Sequence, residues 1–568
     1  MSNYHNIIAD LFSNASGVPL LDVFDLIEFP PGEDQGDRAI PVFRFSKDHK
    51  QSPNDLAKAW ATEINTKKLP SEISRVEPAG GYVNFYFDTP RFAQSITKEI
   101  WERADTFGKL KLDDPPVVVV EYSSPNIAKP FSIGHLRSTN IGASIARIME
   151  YRGYKTIRIN HLGDWGTQFG KLIVAYKKWG NESILKKDPI QELFKLYVKF
   201  HDEESKDTSL SDQAREAFTK LEQGDAETKN LWNTFKQFTL DELSTLYKRL
   251  GASFDHLWGE SFYVEHMPKL LKLLETEGFS KQSEGATIVD LKDEGLGVAL
   301  LQKGDESSLY LTRDLAAAIY RHEKFNFDQM IYVVGAEQRL HFQQLFKILD
   351  MIGHTWVKNC EHVAFGSISF GDEKMSTRKG NVVFLSDVLQ QAKDEALRIV
   401  NEKNEALENK EEAAEKIALG AVLFADISAK RIKNVKFSWK EILSFDGETG
   451  PYLQYSLVRT KSLMAKFGKK VEMISDFTIY KEKEEHNLVR ALSLFPLYLE
   501  RAEREREPFV VGQYLIDLTK TFNRFYNAHR ILDGDPEMIK ARMLLVHCTA
   551  EILAKGFGIL GIPTLERM

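Results

Sequence analysis

Residues 115–153 read PPVVVVEYSSPNIAKPFSIGHLRSTNIGASIARIMEYRG, and this stretch decides the fold. The valines at 117–120 form a β-branched run without polar alternation, which is typical of a strand buried on both faces. Pro125 and Pro130 then force a loop, and the helical apolar pattern that follows stops at Gly153. The stretch therefore predicts a strand, a loop and a helix, the repeating unit of a parallel α/β sheet.

Gly134 and His135 lie where the loop after this strand ends and the helix begins. In open α/β sheets that position faces the ligand crevice, and the N-terminus of the helix there favours anions. The dipeptide alone carries little weight, because a second Gly-His occurs at Gly353 and His354. Its context favours phosphate binding over the alternative, a helix-start histidine paired with a carboxylate.

The composition indicates a soluble globular protein that is long enough, at 568 residues, for roughly three to five domains. A net charge of −7 argues against nucleic-acid binding over the whole surface, but it leaves room for a local basic face. Cys360 and Cys548 are the only cysteines, which excludes a disulfide framework and a thiolate zinc site. Neither a signal peptide nor a transmembrane run is visible, so we expect a cytoplasmic protein.

The chain divides into three predicted domains. Residues 1–110 have the pattern of an α+β domain, and residues 111–385 alternate strands and helices as a parallel α/β sheet does. Residues 181–295 interrupt that alternation and are interpreted as an insertion of charged, solvated helices, among them one helix over 214–250. Residues 386–568 are almost wholly helical and predict a helix bundle.

A glycine-bracketed loop at 371–381 precedes a predicted strand at 382–385. It carries the cations Lys374, Arg378 and Lys379, which suit a polyphosphate that gains charge as a bond breaks. The alternative is a solvated β-turn. Because the sequence Lys-Met-Ser is rarer by composition than Gly-His, we favour the functional interpretation.

Four polar residues follow predicted strands or begin the next helix: Glu121, Tyr310, Asp314 and Gln338. Parallel topology brings such positions to one rim of the sheet, where two carboxylates would suit a planar guanidinium. The alternative is a solvated Glu121 and an Asp314 that only caps its helix. Spacing alone favours that alternative.

Residues 428–440 contain five basic residues and no acid, and Tyr452 and Tyr455 follow them. Further aromatic and basic residues occur at 522–530. Basic side chains interleaved with aromatic rings suit single-stranded RNA. Composition leaves this reading and the alternative, a helix surface with core aromatics, equally open.

Together these residues resemble the class I aminoacyl-tRNA synthetases, and within them the arginyl-tRNA synthetases. Ser-Ile-Gly-His at 132–135 resembles the signature His-x-Gly-His, and Lys-Met-Ser-Thr at 374–377 resembles the Lys-Met-Ser-Lys loop. The more specific arginyl motifs are SSPNIAKP (123–130), HLGDWGTQFG (161–170), LTRD (311–314), DGETGPYLQY (446–455) and the terminal ERM (566–568).

The resemblance implies a role for each matching residue in a Rossmann-like catalytic domain and a helical anticodon-binding domain. The implied arginine site is Glu121, Ser124, Asn126, Tyr310, Asp314 and Gln338. The implied ATP site is Lys129, Ser132, Gly134, His135, Met375 and Ser376, with His135, Lys129, Lys374 and Lys379 as catalytic residues. The implied tRNA contacts are Tyr452, Tyr455 and Met568.

Two departures from the family pattern stand out. Ser132 replaces the first signature histidine, and Thr377 replaces the second lysine of the loop. In the arginyl family a lysine just upstream of the first signature is thought to substitute for the missing one, and Lys129 stands there. The sequence leaves open which of Lys129, Lys374 and Lys379 takes this role.

The implied activity is that of an arginine–tRNA ligase. L-Arginine and ATP would form arginyl-adenylate and pyrophosphate, with Mg²⁺ carried by the triphosphate and no protein metal site, and arginine would pass to the terminal adenosine of tRNA(Arg). The resemblance further implies that activation needs bound tRNA and that the N-terminal domain contacts the tRNA elbow. We expect a monomer. Two alternatives are an adenylyltransferase that uses no RNA and a synthetase-like tRNA-binding protein with an inactive site.

Overall fold

The computed structural model describes residues 3–30, 35–127, 131–302, 310–370 and 384–568. The N-terminal region is an antiparallel sheet with the strand order β1-β3-β2, covered by helices. Its helices are α1 (Asn3–Ser16), α2 (Leu20–Phe24), α3 (Ser46–His49), α4 (Pro53–Thr66) and α5 (Thr89–Arg103), and its strands are β1 (Arg38–Pro41), β2 (Ile73–Ala79) and β3 (Tyr82–Phe87).

The middle region is built on a parallel five-stranded sheet in the order β11-β10-β4-β5-β6. Its strands are β4 (Val117–Glu121), β5 (Lys155–Asn160), β6 (His256–Leu257), β7 (Lys281–Ser283), β8 (Ala286–Leu291), β9 (Gly297–Gln302), β10 (Gln329–Gly335), β11 (Cys360–Phe365) and β12 (Ile368–Phe370). Its helices are α6 (Ile133–Arg152), α7 (Thr167–Trp179), α8 (Glu182–Lys187), α9 (Pro189–Glu204), α10 (Ser209–Glu222), α11 (Ala226–Leu250), α12 (Met267–Thr276), α13 (Tyr310–Phe325) and α14 (Arg339–Met351).

The opening strand and helix form as the sequence predicts. Strand β4 lies in the middle of the sheet, and Val118, Val119 and Val120 are completely buried. Helix α6 ends at Gly153, whose φ of +111° lies in the left-handed region that glycine adopts without strain. The prediction of a buried central strand followed by a helix is confirmed.

The predicted insertion of charged helices is wrong in two respects. Strand β6 joins the edge of the main sheet, and β7, β8 and β9 form an antiparallel sheet of their own. The helix predicted over 214–250 is two helices, because Gly224, with φ of +80°, follows the end of α10 and Asp225 caps the start of α11. A two-residue strand such as β6 has too little sequence to show any alternation.

The C-terminal region is a helix bundle, as predicted. It contains α15 (Leu385–Lys403), α16 (Lys410–Ile427), α17 (Trp439–Ile442), α18 (Gly450–Phe467), α19 (Lys483–Ser493), α20 (Phe495–Glu505), α21 (Pro508–Ala528), α22 (Pro536–Leu560) and the short strand β13 (Val435–Phe437). Within the described residues, α22 alone is long and apolar enough to cross a membrane, and 72% of its most apolar window is buried in the bundle. This is the pattern of a core helix.

The strand predicted at 382–385 is wrong where the structure describes it. Phe384 makes an isolated β-bridge with Ser132, and Leu385 is already the first residue of α15. Leu385 is completely buried, so its apolar side chain serves a helix that packs on the core. Residues 382–383 lie outside the described part of the chain.

Candidate active site

Two acidic residues from distant parts of the sequence belong to one buried network. Glu121 is the last residue of β4 and pairs in register with Tyr332 of β10. Arg321 of α13 donates to Glu121 Oε2, and its Nη2 lies 3.1 Å from His161 Nδ1. His161 Nε2 in turn lies 3.2 Å from Asp314 Oδ1. Glu121 and Asp314 are therefore joined through one guanidinium and one imidazole.

Asp314 is held between two histidines. His161 faces its Oδ1, and His341 Nε2 lies 2.7 Å from its Oδ2. Burial alone would raise the pKa of Asp314, but the close imidazole of His161 and the hydrogen bond from His341 hold that pKa well below its usual range. Burial would likewise lower the pKa values of His161 and His341, but Asp314 raises both above the usual 6.5. Asp314 is therefore a stable anion with protonatable neighbours.

Glu121 already binds a guanidinium that belongs to the chain itself. Arg321 is 1% exposed, and its Nε also donates to the Tyr263 hydroxyl at 3.1 Å. Burial would lower the pKa of Arg321, but Tyr263 and Glu121 raise it far above its usual value. The contact uses Glu121 Oε2, and a carboxylate has about four lone-pair positions. Glu121 therefore keeps the capacity to accept from a ligand.

Glu260 is a candidate site residue that the sequence analysis missed. It follows β6 in the chain, is 5% exposed, and has its Oε2 3.2 Å from Arg313 Nε. Burial raises the pKa of Glu260 to about 7, with Arg313 and His161 opposing the shift and Asp314 adding to it. The available signal was an acidic residue just beyond a strand of the sheet, but that strand was not predicted.

The loop after β4 places two polar residues of the predicted site beside the acidic network. Ser123 and Ser124 both have left-handed φ values, +74° and +47°. The Ser124 hydroxyl oxygen is buried and finds no hydrogen-bond partner among the described residues. Asn126 makes a parallel bridge with Gly163, the first turn beyond β5. A buried hydroxyl without a partner is the kind of group that a ligand satisfies.

Tyr310 and Gln338 stand at the rim. Tyr310 begins α13, is 54% exposed, and has its ring centre 5.0 Å from the Arg313 guanidinium carbon. Gln338 is exposed in the short 3₁₀ turn after β10. Neither side chain has a partner that holds it against the acidic network in the described residues.

At the start of α6, Ser132 orients His135. The Ser132 backbone N–H donates to His135 Nδ1 at 3.0 Å, and the Ser132 hydroxyl lies 3.1 Å from the same atom. Because Nδ1 accepts a hydrogen bond, the neutral ring carries its proton on Nε2. Among the described residues, a Cβ atom added at Gly134 would have only the Ser132 hydroxyl within 4 Å, at 3.5 Å, so these residues leave room for a ligand at the Gly134 backbone.

Several predicted site residues lie outside the described part of the chain. They are Lys129, Lys374, Met375, Ser376 and Lys379, together with Thr377 and Arg378. Within the described residues, no cluster of three or more His, Cys, Asp or Glu side chains could hold a metal ion.

The predicted tRNA-contacting residues are grouped in the C-terminal bundle. Tyr455 is 42% exposed and lies under the Arg459 guanidinium, 4.8 Å from its ring centre. The Tyr452 hydroxyl accepts from Asn523 at 2.9 Å. Met568 lines a cavity of about 720 Å³, where its carbonyl oxygen accepts from Asn404 at 3.3 Å.

The alternative of core aromatics holds for part of the later aromatic segment. Phe522 and Phe525 are completely buried, so they cannot stack on RNA bases. In the basic segment, Arg431 pairs with the buried Glu507 at 3.1 Å and has a structural role. The basic-aromatic reading therefore fails for these three residues.

Three family models match successive parts of the chain. A model described as "tRNA synthetases class I (R), catalytic domain" matches residues 101–439. One described as "Arginyl tRNA synthetase N terminal domain" matches residues 2–87, and one described as "DALR anticodon binding domain" matches residues 453–568.

Whole-chain comparisons agree with the family models. The chain is 45% identical over 568 residues to the arginine–tRNA ligase of Clostridium perfringens and 42% identical over 569 residues to that of Halothermothrix orenii, with 100% of each chain covered. Its structure matches the Thermus thermophilus arginyl-tRNA synthetase with a TM-score of 0.82 at 25% identity, covering 99% of both chains.

Proposed function

Because the chain belongs to the arginyl-tRNA synthetases and charges tRNA with arginine, we propose that the buried acidic network is its arginine site. The site consists of Glu121, Ser124, Asn126, Tyr310, Asp314 and Gln338, to which we add Glu260. The observation that carries this proposal is the joining of Glu121 and Asp314 through His161 and Arg321 at the carboxyl end of the sheet.

The charges of the network suit a guanidinium. Asp314 is ionised and partly buried, with 24% of its side chain exposed, and Glu260 lies close enough for the charge of Asp314 to act on it. A guanidinium offers five N–H donors in a fixed plane, so it satisfies more than one carboxylate at once. Arg321 fixes the orientation of Glu121, and the unpartnered Ser124 hydroxyl is placed to meet a polar group of the substrate.

ATP binds at the start of α6 in this proposal. His135 donates from Nε2 to a phosphate, and the approach to Gly134 is open to the nucleotide. Ser132 takes the place of a direct phosphate donor by holding His135 in the donating tautomer. Lys129, Met375 and Ser376 complete the ATP site on the sequence pattern alone.

The reaction is an in-line attack of the arginine carboxylate on the α-phosphorus of ATP, which releases pyrophosphate and leaves arginyl-adenylate. The chain mainly positions the groups and stabilises charge, with Lys129, Lys374 and Lys379 as the catalytic cations. Mg²⁺ arrives with the triphosphate and neutralises part of its charge. The terminal adenosine 2′-hydroxyl of tRNA(Arg) then takes the arginyl group.

The domains divide the substrates among them. In our proposal residues 1–110 contact the tRNA elbow, residues 111–385 catalyse, and residues 386–568 bind the anticodon through Tyr452, Tyr455 and Met568. The exposed ring of Tyr455 under Arg459 supports the last assignment. We further propose that the protein acts as a monomer in the cytoplasm.

Pyrophosphate exchange, run across the amino acids with and without tRNA, tests this function. We expect exchange with arginine only, and only when tRNA is present. Exchange with another amino acid, or none under any condition, would contradict the proposal.

A further inference from the structure

We propose that Tyr247, on helix α11 of the 181–295 insertion, is a positioning residue that holds the Ser123–Ser124 turn in its arginine-binding shape. The inference rests on the arginine site proposed above. Tyr247 lies more than 100 positions from that turn in the sequence and has no place in the family-like motifs quoted earlier. Its hydroxyl nevertheless contacts the turn through two separate partners.

The turn needs an external hold. Ser123 and Ser124 are consecutive non-glycine residues with φ values of +74° and +47°. Side chains rarely adopt this region, and such residues persist only when their surroundings fix them. Two in succession, next to the end of β4, give the loop a conformation that it would leave if its contacts were removed.

Tyr247 fixes both serines. Its hydroxyl lies 2.8 Å from Ser123 Oγ and accepts from Asn160 Nδ2 at 2.9 Å. The Asn160 Oδ1 atom accepts from the Ser124 backbone N–H at 3.1 Å. One hydroxyl therefore holds the Ser123 side chain directly and the Ser124 backbone through a single amide.

The hydrogen bonds continue from Ser123 to helix α6. Thr139 Oγ1 donates to Ser123 Oγ at 2.8 Å, and it also lies 2.8 Å from the carbonyl oxygen of His135. In the contact between Tyr247 and Ser123, either hydroxyl can be the donor. The same chain thus connects the arginine turn with the first turn of α6, where ATP binds.

Water cannot replace the Tyr247 hydroxyl. Ser123, Thr139 and Asn160 are at most 4% exposed, and Tyr247 is 6% exposed. The Tyr247 ring is packed at right angles to Phe131, with ring centres 5.8 Å apart, and against Phe254 at 4.8 Å. Loss of the hydroxyl would leave the buried Asn160 amide donor without its Tyr247 acceptor and the Ser123 hydroxyl with Thr139 alone, which is costlier than loss of an exposed hydrogen bond.

Tyr247→Phe tests the inference because it keeps the ring and removes only the hydroxyl. We expect the arginine KM in aminoacylation to rise about five- to tenfold, with kcat and the ATP KM changed by less than about twofold. Thr139→Val breaks the same chain at its other end. It should raise the arginine KM in the same direction and add little when combined with Tyr247→Phe.

Tyr480→Phe is the matched control. The buried Tyr480 hydroxyl donates to the Ala541 carbonyl at 2.7 Å in the C-terminal bundle, far from this network in the sequence. The Tyr480→Phe variant should have a lower Tm and an unchanged arginine KM. The inference would be overturned if the arginine KM rose equally in Tyr480→Phe and Tyr247→Phe. It would also be overturned if Tyr247→Phe left the arginine KM unchanged. An unchanged KM in Asp314→Asn as well would overturn the arginine site itself.

Discussion

The proposed arginine site and the proposed tRNA-contacting face of the C-terminal bundle would recognise charged partners in opposite ways. In the proposed arginine site the charges are joined by short contacts, with Glu121 and Arg321 buried and Asp314 and His341 partly buried. On the bundle, Tyr455 is exposed and lies under Arg459. A small cation is selected by fixed, desolvated charge, whereas an RNA base needs an accessible ring and screened cations.

Among variants of the two regions, the one that removes the charge of Asp314 should show the largest change in a substrate KM. Asp314→Asn keeps the shape of the side chain and leaves the substrate guanidinium without its buried anion. We expect the arginine KM to rise roughly 100-fold or more, as about 3–5 kcal/mol of a broken buried pair implies, while the ATP KM stays close to the wild-type value.

Steady-state aminoacylation measures this effect, and Asp533→Asn, at an exposed ion pair, is the control. An unchanged arginine KM in Asp314→Asn would show that Asp314 is not part of the arginine site. It would also contradict the proposed difference between that site and the bundle.

Truncating the exposed ring of Tyr455 should weaken the binding of tRNA and leave the binding of arginine unchanged. Tyr455→Ala removes a stacking surface, which is worth about 1–3 kcal/mol per base, so the tRNA KM should rise roughly tenfold. The arginine KM at saturating tRNA should not change. Ile184→Ala, at an exposed apolar side chain on α8, is the control. A tRNA KM that is equal in both variants would place the RNA elsewhere.

Neutralising Glu260 should have a smaller effect that grows with pH. Burial raises the pKa of Glu260 to about 7, so at neutral pH the wild-type group is only partly charged. Glu260→Gln should therefore raise the arginine KM only a few-fold near pH 7 and more above it, where the wild-type glutamate is ionised. Glu275→Gln, at an exposed position on α12, is the control. If the increase in arginine KM caused by Glu260→Gln became smaller as the pH rises, this result would contradict the raised pKa of Glu260.

The smallest expected effect is the pH dependence that the histidines impose on arginine binding. Asp314 raises the pKa of His341, so this ring carries its second proton above pH 6.5 in the free enzyme. A bound guanidinium repels the imidazolium, and binding releases its proton, so affinity falls at low pH. The arginine KM of Glu260→Gln should fall as pH rises through this range, and Asp314→Asn should flatten the profile. An arginine KM that rises with pH would contradict the predicted direction of this pH dependence.

The sequence predicted those parts of the fold that depend on local pattern. The valines of β4, the prolines of the following loop and Gly153 act within a few residues, so the central strand and α6 were accessible. The strand β6 was not, because its two residues show no periodicity, and Glu260 was missed with it.

Long-range pairing explains what else escaped prediction. Arg321 and Glu121 are 200 positions apart, and Tyr247 and Ser123 are 124 apart. Spacing alone favoured a solvated Glu121 and a capping Asp314, and only the fold shows that Arg321 holds Glu121 and that two partly buried histidines flank Asp314. The predicted roles of Lys129, Lys374 and Lys379 remain predictions from the motifs.

The central claim is that fixed charge selects the guanidinium. Citrulline tests it directly, because it has nearly the shape of arginine but a neutral urea group. The measurement is the ratio of kcat/KM for arginine to that for citrulline, in the wild type and in Asp314→Asn. We predict that Asp314→Asn lowers this ratio by roughly 100-fold, since the lost attraction applies to the cation alone. An unchanged ratio would contradict the claim.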